Sequence, residues 1–210
     1  MTQPELWRRN SSRARSKLVT EANSSVELVT LQEVKLHQRI FHEVQNAQIL
    51  TNLGAAIEAL QEYMGRRFIE ETWDITLDDF PTRDYIELPF GNLVSVTSIT
   101  YIDSAGASTT FSTSNIIEDK DDDRKLPRIY LGHNQSWPGT RDQYRAVTIR
   151  AKFGSWTGDN VPDSVKLAIM MLAAYYFEHP EAAEFMVGGQ ILLIPLGIRF
   201  LVRRWRCIAI

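Results

Sequence analysis

Few side chains in this 210-residue sequence are spaced for catalysis. His37, His42, His133 and His179 share no metal-ligand spacing, and His37 and His42 fall off a common helical face. Cys207, the single cysteine, has no local base to activate it and reads as an ordinary small residue. The densest carboxylate run is Glu118-Asp119-Lys120-Asp121-Asp122-Asp123. Such oxygens suit a divalent cation, but the run lacks the glycine turn of an ordered calcium loop, and Lys120, Arg124 and Lys125 offset its charge. It reads as a solvated loop. Asp78-Asp79 and Asp84 have no acceptor machinery beside them. There is no phosphate-binding Walker loop, no dinucleotide glycine fingerprint and no zinc-protease helix motif. From these residues alone no metal or cofactor site is expected.

The charges that remain are partitioned. The net charge is −3. Residues 1–20 carry Arg8, Arg9, Arg13, Arg15 and Lys17 against Glu5, a net +4. Residues 199–210 carry Arg199, Arg203, Arg204 and Arg206 with no acid, again +4, which leaves −11 for residues 21–198. Two basic ends flank an acidic body. Solvated tails are the plain reading. Trp7 and Trp205 argue for contact, because an exposed indole wastes a large apolar surface. An anionic partner, nucleic acid or an acidic protein surface, fits such ends.

The elements that position these residues change period along the chain. Residues 1–25 read as a polar arm without periodicity. Thr30-Leu31-Gln32-Glu33 fits a capping box and predicts a short helix near Leu31–Arg39. Ile49, Leu50, Leu53, Ala56, Ile57, Leu60, Tyr63 and Met64 recur at helical spacing, predicting a helix over roughly Glu43–Met64 with Gly65 as its left-handed cap. The middle then alternates: Trp73, Ile75 and Leu77; Ile86 and Leu88; Val94 onward to Tyr101; and Val147, Ile149, Ala151 and Phe153. Asp103-Ser104-Ala105-Gly106 supplies a turn leading to a partner strand that reaches Phe111. Five or six antiparallel strands with one buried face are predicted. Pro162 suits the first turn of a helix carrying Val165, Ile169, Leu172, Ala173, Tyr176 and Phe177. The fold class is α+β: a small helical bundle with a small antiparallel sheet and extended arms. The predicted organisation is an arm over 1–25, a core over 26–186 and a basic-apolar docking tail over 187–210.

Composition agrees with one folded body. Hydrophobic residues make 44% and charged residues 23%, ordinary globular values. A single cysteine excludes a disulfide framework. The first twenty residues hold no apolar run, so no signal peptide is expected. Ile191–Val202 is broken by Pro195 and Arg199 and is shorter than the about 20 residues a membrane span needs.

The order of the segments carries a resemblance. LVTLQEVKLHQRI opens a capped helix, and EYMGRRF closes the next. ETWDITLDDFP and IELPFGNLVSVTSITYIDSAG follow, then SWPGTR, AVTIRAKFG and VPDSVKLAIMMLAAYYFEHPEA. Over about residues 28–185 this resembles the head–tail connector, or adaptor, proteins of tailed double-stranded DNA bacteriophages and related gene-transfer particles. The resemblance implies a non-enzymatic, structural virion protein without cofactor, formed in the host cytoplasm and carried in the particle neck. It implies a ring, usually of twelve subunits, joining the capsid portal to the stopper or tail and extending the DNA channel. DNA would pass without sequence-specific binding, and an acidic body would not grip phosphates.

Site expectations follow. The C-terminal segment of resembling adaptors docks on the portal, which assigns Arg199, Arg203, Arg204, Trp205 and Arg206 to portal binding. A helix resumed near Leu196 would put Arg199, Arg203 and Arg206 on one side and Leu201 with Trp205 on another; packing back on its own subunit is the alternative. Trp7, Arg8, Arg9, Arg13 and Arg15 would make arm contacts. Glu58 and Glu62, off the helical stripe, would meet the next subunit. Asp103, Gly106, Asp121, Asp122 and Asp123 would face the tail on two polar loops. Two other classes stay open: a basic-armed nucleic-acid-binding protein, and a nuclease whose acidic run is ordered around metal.

Overall fold

A computed structural model describes residues 14–22, 25–120, 124–179, 186–187, 190–191 and 194–207. The described residues divide into two compact units: those within 14–22, 67–155 and 207 form a sheet unit, and those within 25–66 and 156–206 a helical unit.

The sheet unit holds eight strands: β1 (Arg15–Thr20), β2 (Glu71–Leu77), β3 (Tyr85–Glu87), β4 (Leu93–Ile102), β5 (Ser108–Phe111), β6 (Ile116–Asp119), β7 (Arg128–Leu131) and β8 (Val147–Phe153). They make a five-stranded sheet in the order β1-β2-β8-β4-β5 and a three-stranded sheet in the order β3-β7-β6. All pairings are antiparallel. Alternation sets which face is buried, because successive side chains point to opposite sides. Val147, Ile149, Ala151 and Phe153 of β8 are all buried, while Arg150 between them is exposed. The core they enter also takes Ile75, Ile99 and Ile129, so both sheets share it. Phe80 stacks on Trp137 at 4.9 Å with an interplanar angle of 8°, and the Trp137 indole N–H donates to the Arg83 carbonyl at 3.0 Å. The SWPGTR segment thereby closes one side of this core.

Two expectations are corrected here. Residues 15–20 are not part of an aperiodic arm; they pair with β2 as an edge strand. Backbone pairing supplies the order that side-chain pattern does not announce in RSKLVT. Glu118 and Asp119 are also not loop residues, since they end β6. The register of β4 is irregular at Leu93/Ser95 and at Val96/Ser98. There the Val96 N–H donates to the Glu118 carboxylate at 2.7 Å, and Lys120 Nζ donates to the Val94 carbonyl at 2.8 Å. Side chains from the end of β6 thus satisfy backbone groups that the irregular strand presents.

The helical unit holds α1 (Leu31–Gln38), α2 (Asn46–Met64), α3 (Asp163–Glu178) and α4 (Leu196–Val202). The capping box of α1 is present: Glu33 N–H donates to Thr30 Oγ1 at 3.2 Å and Thr30 N–H to Glu33 Oε2 at 2.8 Å. Gly65, at φ 66°, ends α2 in the left-handed conformation. Pro162 stands one place before the predicted first turn, at the N-cap of α3. Ile49, Leu53, Ala56, Leu60 and Met64 of α2 are buried, as are Val165, Ile169, Leu172 and Ala173 of α3. Leu50, expected on the stripe, is exposed. Two short strands, β9 (Met186–Val187) and β10 (Gln190–Ile191), pair antiparallel before α4. No helix among the described residues is long and apolar enough to cross a membrane.

Candidate functional site

The C-terminal residues expected to dock on a partner are folded against their own unit. Pro195 precedes α4, which starts at Leu196 as the sequence predicts. Ile194, Ile198 and Val202 are buried, and α4 contacts α3. After Val202 the chain tightens into a 3-10 turn over Arg203–Trp205, so α-helical spacing does not carry through to Arg206. The Trp205 indole stands edge-on to Trp156, with ring centroids 5.9 Å apart at 88°. Its N–H donates to Ser164 Oγ at 3.2 Å. Arg199 and Arg206 lie over the Tyr63 ring, at 5.4 and 4.8 Å from its centroid, a cation–π arrangement. The indole thus has an apolar neighbour and an acceptor within its own unit, the arrangement given above as the alternative to docking. Arg203, Arg204 and Arg206 are exposed.

Glu58 and Glu62 lie on the exposed side of α2, off the buried stripe. Other features of this unit escaped the sequence reading. Leu36, Phe41, Val44 and Leu50 are exposed around the α1–α2 connection, and Leu196 and Phe200 are exposed on α4. The signal available was that Phe41 and Val44 precede the α2 stripe, and that Leu196 and Phe200 are a turn apart on the side opposite Ile198 and Val202.

In the sheet unit, Asp103 shapes the turn that joins β4 to β5. Its Oδ1 accepts from the N–H groups of Ala105 and Ala107, both at 2.9 Å, and Oδ2 accepts from the Thr109 hydroxyl at 3.4 Å. The Gly106 N–H donates to the Asp103 carbonyl at 2.9 Å. Asp103 is thus committed to its own turn, and Ser104–Ala107 form the exposed tip. Asp121, Asp122 and Asp123 lie outside the described residues, as do Trp7, Arg8, Arg9 and Arg13. Arg15 is described, and it is engaged within the unit. Its guanidinium meets Asp78 at 3.2 Å and lies over Tyr144 at 4.5 Å.

Other cations of the sheet unit are paired as well. Arg150 meets Asp74, its register partner, through two bonds of 2.7 and 2.9 Å, and that carboxylate raises the arginine's affinity for its proton. Lys152 meets Glu70 at 2.9 Å, and Arg128 meets Glu87 at 2.9 Å. In the helical unit, Lys166 meets Glu33 at 2.6 Å. The Lys166 hydrogen bond, and then that of the Thr30 backbone, hold the Glu33 carboxyl below its ordinary range. Among the described residues no group of three or more histidine, cysteine, aspartate or glutamate side chains is placed to hold a metal ion.

Residues 27–192 match the family model described as head completion protein. The chain belongs to the head completion protein family. No curated protein matches it. Its fold is similar to that of a chain in the virion of a native gene transfer agent particle, with TM-score 0.74, 22% identity, and 93% of this chain and 96% of that chain covered. A chain in the neck of an empty gene transfer agent particle, computed with C6 symmetry, gives 0.70 and 21%, over 93% and 97% of the two chains. A chain in the neck of the native particle, computed with C12 symmetry, gives 0.69 and 22%, again over 93% and 97%. Among its described residues this head completion protein has the α+β fold that the sequence predicts, with four helices and antiparallel sheets of five, three and two strands.

Proposed function

We propose that this head completion protein is a structural ring subunit in the neck of a tailed DNA particle. The ring joins the capsid portal to the stopper or tail, and the DNA channel runs through it. The observation that carries this reading is the family match over residues 27–192. The likeness to a neck chain mapped with C12 symmetry supports twelve subunits. Assembly begins in the host cytoplasm and ends in the virion.

The pairing of Arg15, Arg128, Arg150 and Lys152 with carboxylates favours a channel component over the alternative of a basic-armed nucleic-acid binder. Each neutralised phosphate adds salt-sensitive affinity, and cations already paired on the folded body supply little of it. The tip at Ser104–Ala107 and the segment containing Asp121, Asp122 and Asp123 are the tail-facing candidates. The basic C-terminal arginines left exposed by α4 serve attachment within the neck.

The reading is tested by assembling particles without this chain. Heads filled with DNA and lacking tails are expected. Tailed, transfer-competent particles without the chain would overturn it.

A further inference from the structure

The edge strand β1 is bound to the five-stranded sheet through its backbone far more than through its side chains. Of Arg15–Thr20 only Leu18 is half-buried, and the rest are exposed, Val19 among them. None of these residues belongs to the core that Ile75 and Leu77 of β2 and Val147, Ile149, Ala151 and Phe153 of β8 fill. On its other side β2 pairs with β8 in unbroken register from Glu71 to Leu77, reinforced by the two bonds between Asp74 and Arg150. The pairing of β1 with β2 instead breaks register between Leu18 and Thr20. The described residues from Ser25 onward then belong to the helical unit. Local stability follows buried apolar contact, so β1 opens at a lower free-energy cost than β2 or β8.

One end of β1 is nevertheless fastened. The Arg15 guanidinium meets Asp78 Oδ1 at 3.2 Å and lies over the Tyr144 ring, 4.5 Å from its centroid. The same Oδ1 accepts from the Arg145 N–H at 3.0 Å. Arg145 holds φ 58°, a left-handed conformation that non-glycine residues adopt at a cost. Its guanidinium lies 5.1 Å from the Tyr144 centroid. A single carboxylate oxygen thus ties the first residue of β1 to the end of β2 and to the Tyr144–Arg145 turn. The Arg15 side chain is 43% exposed, so dissolved salt screens this contact.

We propose that β1 is a salt-sensitive strap. It undocks from β2 as one unit while β2, β8, β4 and β5 stay folded, and the contacts of Arg15 with Asp78 and Tyr144 are its latch. Closed, the strap makes β2 an internal strand. Open, it bares the outer backbone donors and acceptors of β2 and turns that strand into an edge.

Hydrogen exchange of the purified full chain, read by mass spectrometry, tests this. Peptides over residues 14–22 report β1, and peptides over Val147–Phe153 report β8. At low salt the β1 amides are expected to exchange at least about tenfold faster than those of β8 and at least about tenfold slower than an unfolded chain. Raising sodium chloride to about 1 M, or Arg15→Gln at low salt, is expected to speed β1 exchange about two- to fivefold, as for an exposed ion pair, and to leave β8 unchanged. Thr20 and Thr72 are register partners. Thr20→Cys with Thr72→Cys, in a Cys207→Ser background, closes the strap with a disulfide. Oxidation is expected to slow β1 exchange at least about tenfold, and reduction to reverse it. Exchange of β1 at the rate of β8 means that it opens only with the whole sheet, and overturns the strap. Exchange at the unfolded rate means that no strand is docked, and overturns it as well. A formed disulfide that leaves β1 exchange unchanged contradicts undocking as one unit. A β1 rate that neither salt nor Arg15→Gln moves overturns the latch.

Discussion

The indole N–H of Trp205 donates to the Ser164 hydroxyl at 3.2 Å and ties the last turn of the chain to α3. Trp205 also stands edge-on to Trp156. Trp205→Ala removes both contacts from a half-buried site. The expected loss is about 1–3 kcal/mol, below the range for a fully buried aromatic. Urea unfolding of the purified protein checks it. Truncation after Gly189 removes buried Ile194, Ile198 and Val202 as well, and is expected to destabilise the helical unit rather than merely release a docking tail. A truncated chain with unchanged unfolding midpoint would show that α4 packing contributes nothing.

Lys166 and Glu33 link α3 to α1, and Glu33 also closes the capping box. Its folded-state pKa is lowered, chiefly by Lys166. The stabilisation is present above the unfolded carboxyl value, about 4.3, and is lost as pH falls through the lower folded value. Glu33→Gln is expected to lower the unfolding midpoint at pH 7 and to match wild type more closely as pH drops below 4. A difference that grows toward acid would reverse the sign of this account.

Gly154 sits at φ +90°, where an added Cβ would run into the Ile69 carbonyl oxygen and crowd the Glu70 nitrogen. Backbone cannot step aside as a flexible side chain does. Gly154→Ala is expected to cost at least about 2 kcal/mol, combining left-handed strain with the clash. Thermal unfolding measures this, with Gly139→Ala as the control, since Gly139 has nothing within 4 Å of its built Cβ.

Asp103 accepts three hydrogen bonds inside the β4–β5 turn. Asp103→Ala is expected to cost about 1–3 kcal/mol and to raise amide exchange at Ala105 and Ala107. Ser104 and Ala105, at the exposed tip, are the positions where substitution leaves stability near wild type and affects tail joining instead.

Local signals were legible where one rule governs them. The Thr30–Glu33 box, the α2 stripe apart from Leu50 with its cap at Gly65, and the alternation of β8 appear as the sequence implies. What the sequence hid depends on partners distant along the chain. RSKLVT becomes a strand because β2 offers an edge, not because of its own pattern. Glu118 is recruited by an irregularity in β4 that no local motif announces. The contacts of Trp205 are Trp156 and Ser164 of its own chain, which no local pattern announces. The exposure of Phe41 and Phe200 is not legible locally, because burial is a property of the fold and not of the residue type.

The central claim is a ring of this chain in the particle neck. A reconstruction of the neck of assembled particles tests it most directly. The account predicts copies of this chain arranged around the DNA axis against the portal, with the Ser104–Ala107 tips directed toward the tail. Density for this chain in the capsid shell or tail tube, or a neck ring built wholly from other proteins, would contradict it.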